Sequence, residues 1–252
     1  MIKMIMHGCN GAMGQVISGI AAEENNIEIV AGIDPNMTKE NPYPVFSSLE
    51  SCDVEADVIV DFTSAKAVEG LLHYSIEKQI PVVLCTTGLS EDQVKMVEEA
   101  SRQVAVLRSA NMSLGVNLLM KLIKDAALVL ASAGFDIEIL EKHHNKKLDA
   151  PSGTALALAD SINEAMDQEF HYVYERSQVR KARDKKEIGI SAVRGGTIVG
   201  EHDVIFAGTD EVVTFQHTAY SKAIFARGAV SAAKFLAGKK PGLYTMKDVI
   251  EN

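Results

Sequence analysis

The segment Gly8-Cys9-Asn10-Gly11-Ala12-Met13-Gly14 constrains this chain more than any other. It follows a short apolar run over residues 2–7 and opens a helical pattern over residues 14–23. A strand that turns through glycines into a helix is the first half of a βαβ unit. Glycines there permit a tight turn, close approach of backbone to a pyrophosphate, and close packing of helix on strand. The helix N-terminus offers N–H groups and a partial positive charge to phosphate. The spacing is GxxGxxG, with Asn10 where the common dinucleotide fingerprint has glycine. A second apolar run, residues 28–34, ends in Asp34, 20 residues past Gly14. A carboxylate at that distance can bond the ribose hydroxyls of a dinucleotide. The expected cofactor is therefore NADH or NADPH. No arginine follows Asp34, which favours NADH; Lys39, folded back, would admit the 2′-phosphate of NADPH.

Further apolar runs at 56–62, 81–85 and 104–108 alternate with helical patterns at 65–78 and 91–102. Such alternation predicts a parallel sheet with helices on both faces. A run as apolar as Val58-Ile59-Val60 fits burial on both sides. The loops Asp61-Phe62-Thr63-Ser64, Cys85-Thr86-Thr87-Gly88 and Ser109-Ala110-Asn111-Met112 fall at strand carboxyl ends, where open α/β sheets bind ligands. Turn and helix-cap chemistry, with Ser64 and Ser113 as N-caps, accounts for the same residues. After a helix at 113–131 the character changes. A strand at 136–141 and a helix at 152–166 precede strand-like runs at 188–193, 203–206 and 212–218. Clustered strands without helices between them predict a second, mixed or antiparallel sheet. The charge-rich stretch 178–187 reads as a solvated loop, and a last helix at 222–237 ends at Gly238. The expected fold class is α/β, a Rossmann-type parallel-sheet domain plus a mixed α/β domain.

Composition excludes several classes. The net charge of -9 disfavours nucleic acid, whose binding relies on Lys and Arg neutralising phosphates. Cys9, Cys52 and Cys85 are odd in number and scattered, which argues against a disulfide framework or a zinc site and for a cytoplasmic setting. No apolar run reaches membrane-spanning length, so no membrane partner is expected.

The segment from Glu141 to Ala155 gathers His143 and His144 with Lys142, Lys146 and Lys147 ahead of Ser152-Gly153-Thr154 at a helix start. Lysine and histidine suit an anionic substrate, the helix amides suit a carboxylate, and either side chain can donate a proton. A solvated basic loop explains the charges equally well, and adjacent histidines on a strand point in different directions. A metal site is disfavoured, because the loop lacks a third ligand at the right spacing.

That same segment meets every fixed position of the pattern E-x-H-H-x-x-K-x-D-A-P-S-G-T-A. It resembles the signature of the dihydrodipicolinate reductase family, now called 4-hydroxy-tetrahydrodipicolinate reductases. The resemblance extends to the glycine loop, Thr86-Thr87-Gly88, residues 111–117, Arg194-Gly195-Gly196 and Val199-Gly200-Glu201-His202. It implies a dinucleotide-binding domain over 1–114 and 221–252, and a substrate-binding and oligomerisation domain over 115–220. It implies NAD(P)H-dependent reduction of a small cyclic dicarboxylate in the diaminopimelate route to lysine, by a homotetramer. By position, His143 matches the family's proton donor/acceptor and Lys147 its proton donor; residues alone do not separate the two. His144, Gly153 and Thr154 match substrate positions. Gly8, Cys9, Asn10, Gly11, Ala12, Met13, Asp34, Cys85, Thr86, Thr87, Ser109, Ala110, Asn111 and Met112 match cofactor positions. Cys85 stands where glycine is usual, and Pro35 where many members carry arginine. Another amino-acid-pathway dehydrogenase, or a non-enzymatic NAD(H) sensor, would share the glycine loop but would not need the segment from Glu141 to Ala155.

Overall fold

The computed structural model describes residues 1–252 except Glu175 and Val179. Val179 falls in the expected solvated stretch 178–187 and lies outside the described residues. The chain divides into two compact units, Met1–Leu114 with Ala223–Asn252, and Gly115–Lys222.

The first unit contains β1 (Ile2–His7), α1 (Ala12–Glu23), β2 (Ile27–Ile33), β3 (Val45–Phe46), β4 (Val58–Asp61), α2 (Val68–Lys78), β5 (Val82–Leu84), α3 (Glu91–Ser101) and β6 (Ala105–Arg108). The second opens within α4 (Leu114–Leu130) and holds β7 (Asp136–His143), α5 (Gly153–Ala165), β8 (His171–Val173), β9 (Glu187–Arg194), β10 (Gly200–Ala207) and β11 (Val212–Ala219). The chain then returns to the first unit with α6 (Ala223–Leu236), β12 (Gly242–Tyr244) and α7 (Met246–Glu251).

Seven parallel strands form the first sheet in the order β12-β6-β5-β4-β1-β2-β3. Successive side chains of a strand point to opposite faces, so a sheet covered on both sides needs strands that are apolar throughout. Met4, Met6, Val58 and Val60 accordingly enter one core with Ile17 of α1 and Ala229 and Ala233 of α6. Ile5, Ile59, Val82 and Val106 enter the other, against Leu71 and Leu72 of α2 and Val97 of α3. Full burial of such a side chain contributes roughly 1.5–3 kcal/mol. Strand register levels the carboxyl edge. His7 pairs with Ile33 and Asp61, Asp61 with Leu84, and Leu84 with Arg108. The following residues, Gly8, Asp34, Phe62, Cys85 and Ser109, therefore emerge side by side.

The second sheet is mixed, in the order β11-β10-β7-β9-β8, with β10 antiparallel to both neighbours and β9 parallel to β7 and β8. Ile137, Ile139, Ile188, Ile190, Val204 and Phe206 turn inward against Ile123 of α4 and Leu158 and Ile162 of α5. The strand expected at 136–141 runs two residues further, to His143, and carries the first histidine into the sheet. The two- and three-residue edge strands β3, β8 and β12 are too short to show a sequence period. They exist because a neighbouring strand offers them a ladder.

Candidate active site

The glycine turn is built to be approached by a ligand. Gly8 has φ +86°, in the left-handed region that favours glycine, and a Cβ there would meet the Phe62 carbonyl oxygen at 2.8 Å. A Cβ on Gly14 would lie 2.2 Å from the Gly8 oxygen and 2.7 Å from Cys9 Cα, so only glycine lets α1 pack against the turn. Gly11 is the N-cap of α1 and contributes no capping side chain, which leaves the first-turn amides to an anion or water. Burial pushes the Cys9 thiol up to about 11, with Asp34 adding to the shift. Cys9 therefore packs as a protonated side chain beneath the turn.

Asp34 is drawn onto this turn. Its carboxylate accepts the Asn10 amide at 3.0 Å and the Asn36 amide at 2.9 Å. Lys39 folds back and donates to the Asn10 carbonyl at 2.9 Å. A carboxylate and an ammonium thus stand at the same end of β2, beside a backbone cradle fit for a pyrophosphate.

Asp61, fully buried at the end of β4, ties two further loops together. It accepts hydroxyl bonds from Thr63 at 2.7 Å and Thr86 at 2.6 Å, and lies 2.9 Å from His7 Nδ1. Burial, reinforced by Asp61, pushes the Cys85 thiol well up, so Cys85 also acts as a small neutral side chain. Ser64 precedes a short helical turn but makes no side-chain cap bond, which removes the capping explanation for that residue. Asn111 accepts the Ser113 amide at 2.8 Å and shapes the turn before α4. Met112 is buried, and its carbonyl would collide with any Cβ on Gly228 of α6. The cofactor positions expected in this unit thus share one sheet edge.

The second unit sorts the basic segment by strand geometry. Lys142 points to the opposite face from His143 and pairs with Glu201 at 3.0 Å and Asp203 at 3.3 Å. Lys146 is exposed. Lys147 is largely covered and pairs with Asp149 at 2.8 Å, and the ammonium holds the Asp149 carboxyl below its usual range. His143 is buried and His144 half-buried. His143 ends β7, and His144 and Lys147 follow in the stretch that leads to the α5 N-terminus. There Ser152 is the N-cap, accepting the Ala155 amide at 3.1 Å, with Gly153 and Thr154 in the first turn. The same strand alternation places Glu141 beside His143, with a carboxylate oxygen 2.6 Å from His143 Nδ1. Arg194 grips that carboxylate with two bonds of 2.7 Å and reaches the Asp149 carbonyl at 2.7 Å. His202 lies edge-to-face on His143 with ring centroids 5.2 Å apart, and exchanges a hydrogen bond with Ser152 at 3.0 Å. Burial, then His143, lowers His202 to about 4 and keeps it neutral. Glu141 and His202 carry no site role in the sequence reading. The i, i+2 period of a strand extended to His143 is the signal that pairs Glu141 with the histidine.

Among the described residues no helix is long and apolar enough to cross a membrane, and no cluster of side chains could hold a metal ion.

Comparison with known proteins agrees along the whole chain. Residues 2–112 match the family model described as "Dihydrodipicolinate reductase, N-terminus", and residues 115–250 that described as "Dihydrodipicolinate reductase, C-terminus". The chain is 55% identical to a 4-hydroxy-tetrahydrodipicolinate reductase of Caldanaerobacter subterraneus over 251 residues, covering 100% of this chain and 99% of that protein. It is 48% identical to the Clostridium novyi enzyme of the same name, covering 100% and 99%. Among solved structures, a dipicolinate-bound dihydrodipicolinate reductase from Paenisporosarcina sp. TG-14 superposes with a TM-score of 0.82 at 26% identity, covering 99% of both chains. With both halves matched in order and near-complete coverage of relatives this similar, the chain belongs to the dihydrodipicolinate reductase family.

Proposed function

We propose that this protein catalyses the NAD(P)H-dependent reduction of 4-hydroxy-tetrahydrodipicolinate, via its dehydrated form, to tetrahydrodipicolinate in the diaminopimelate route to lysine. The observation that carries this reading is the segment from Glu141 to Ala155. It carries a buried histidine, a lysine and a helix N-terminus within fifteen residues, groups suited to holding an anionic substrate and donating a proton. The dipicolinate complex of the Paenisporosarcina relative supports a cyclic dicarboxylate as the ligand class.

A bound nicotinamide supplies the hydride, from its C4. The residues of the chain do the rest. The Gly8, Cys9, Asn10, Gly11, Ala12 and Met13 backbone cradles the pyrophosphate, and Asp34 takes ribose hydroxyls. Cys85, Thr86, Thr87, Ser109, Ala110, Asn111 and Met112 line the nicotinamide half. Lys147, His144 and the Gly153 and Thr154 amides hold the substrate carboxylates, one of which competes with Asp149 for the Lys147 ammonium. His143 or Lys147 delivers the proton. We assign the unit carrying the glycine turn to the cofactor, and the mixed-sheet unit to substrate and to assembly of a homotetramer. A cytoplasmic setting without nucleic-acid or membrane partners fits the charge and the scattered cysteines.

The test follows absorbance at 340 nm, with purified protein, freshly generated substrate, and NADH or NADPH in parallel. Substrate-dependent oxidation of either cofactor is the expected result. Its absence with both, from protein shown to bind NADH, overturns the assignment.

A further inference from the structure

We infer that Glu141 is a positioning residue, clamped by Arg194, that holds His143 with its proton on Nδ1 and so makes Nε2 the atom that exchanges a proton with the substrate. The inference rests on the reading of His143 as the proton-handling side chain.

Four donors converge on the Glu141 carboxylate. One oxygen lies 2.6 Å from His143 Nδ1 and 2.7 Å from Arg194 Nη1; the other accepts the Ser152 amide at 2.9 Å and Arg194 Nη2 at 2.7 Å. Burial alone would raise this acid. The Arg194, His143 and Ser152 bonds outweigh it and leave the carboxyl below its usual range. An ionised carboxylate only accepts, so the hydrogen in the Glu141–His143 bond belongs to Nδ1. The ring is thereby fixed in one tautomer and one orientation, the task a buried acid performs for a catalytic histidine in other enzymes.

The other edge of the ring is kept clear. A Cβ on Gly200 would lie 3.1 Å from His143 Nε2, so glycine at that point of β10 leaves this nitrogen uncovered from that side. The charged and titratable groups around the ring are Glu141 on its own strand, Lys147 in the following loop, Arg194 ending β9, His202 on β10 and, next to His202, His217 on β11. His202 and His217 are both lowered by burial. Glu141 is therefore the one anion bonded to the ring among the described residues. Replacing a buried ion pair by apolar residues is often neutral for stability. The constellation is accordingly explained by what it does for His143.

The test compares wild type, E141Q, E141D and H143Q as full-length proteins, in the 340 nm assay. E141Q is expected to lose roughly 10²-fold in kcat, with substrate KM changed less than about 3-fold. E141D, which keeps the carboxylate, should recover part of the lost kcat. If E141Q fails to fold, nitrogen-15 NMR of the histidine rings in wild type decides, with H143Q identifying the resonance. A neutral His143 protonated on Nδ1 supports the inference, and one protonated on Nε2 overturns it. E141Q with wild-type kcat, or with only a raised KM, also overturns it. An impaired H143Q beside an unaffected E141Q sinks this inference alone, whereas a fully active H143Q sinks the role of His143 itself.

Discussion

Lys39 Nζ donates to the main-chain oxygen of Asn10 at 2.9 Å, and the amide of the same Asn10 donates to Asp34 at 3.0 Å. One residue of the glycine turn thus holds both an anion and a cation, at the position proposed for the adenosine ribose of a dinucleotide. Asp34 suits the two free hydroxyls of NADH, and Lys39 offers a counter-charge to the extra phosphate of NADPH. The protein is expected to use both cofactors. K39A should lower kcat/KM for NADPH by about 10- to 100-fold and leave NADH within about twofold, since a charged hydrogen bond contributes roughly 1.5–3 kcal/mol. Equal losses with both cofactors would show that Lys39 only braces the turn.

Removing a proton donor from the mixed-sheet unit should cost turnover and spare the fold. H143Q and K147A are each expected to lose about 10²–10³ in kcat, the usual consequence of deleting one charge-stabilising or proton-donating group. Circular dichroism and NADH binding should stay as in wild type, because Lys147 sits in a surface loop and glutamine can keep a bond to Glu141. Wild-type turnover in both variants would remove these residues from the mechanism.

Gly14 and Gly19 lie in the same helix and should respond with opposite signs. A Cβ on Gly14 collides with the Gly8 oxygen at 2.2 Å, whereas one on Gly19 meets nothing within 4 Å. G14A is therefore expected to destabilise by about 1–3 kcal/mol and to weaken dinucleotide binding. G19A should stabilise by roughly 0.5–1 kcal/mol with binding unchanged. Denaturant titrations with and without NADH measure both. An innocuous G14A would mean that the turn can relax away from α1.

His202 should make the protein acid-sensitive. An unfolded histidine takes up its proton near pH 6.5. The folded, buried ring resists protonation down to about pH 4. Above the unfolded value both states are neutral and the residue contributes no pH dependence. As pH falls from about 6.5 toward 4, only the unfolded chain gains the proton, and stability drops. Between pH 7 and 4.5 wild type should lose about 2–3 kcal/mol more than H202N does, since one proton taken up only by the unfolded chain costs about 1.4 kcal/mol for every pH unit crossed. Parallel curves for the two proteins would show that His202 is reached by solvent.

The parallel-sheet unit and its glycine turn are legible in the sequence. Gly8, Gly11, Gly14 and Asp34 belong to one local βαβ unit whose geometry follows from spacing, and the apolar run Val58-Ile59-Val60 announced a strand buried on both faces. The short edge strands escaped, because two or three residues carry no period and pair only when a neighbour is in place. The basic segment was legible as a charge cluster, yet its chemistry was not. Lys142 and His143 are adjacent in the chain, and the strand turns them to opposite faces, one to Glu201 and Asp203, the other to Glu141. Arg194 stands 53 residues from the carboxylate it grips, and His202 stands 50 from Ser152. The sequence by itself determined the family, the parallel sheet and the residue types at the site, because these rest on local spacing and on a long specific pattern. Only the tertiary structure decided that His143 meets Glu141 and Arg194, that Lys142 turns to Glu201 and Asp203, and that Lys147 pairs with Asp149. Those answers depend on contacts between β7, β9, β10 and α5, and distance along the chain does not reveal them.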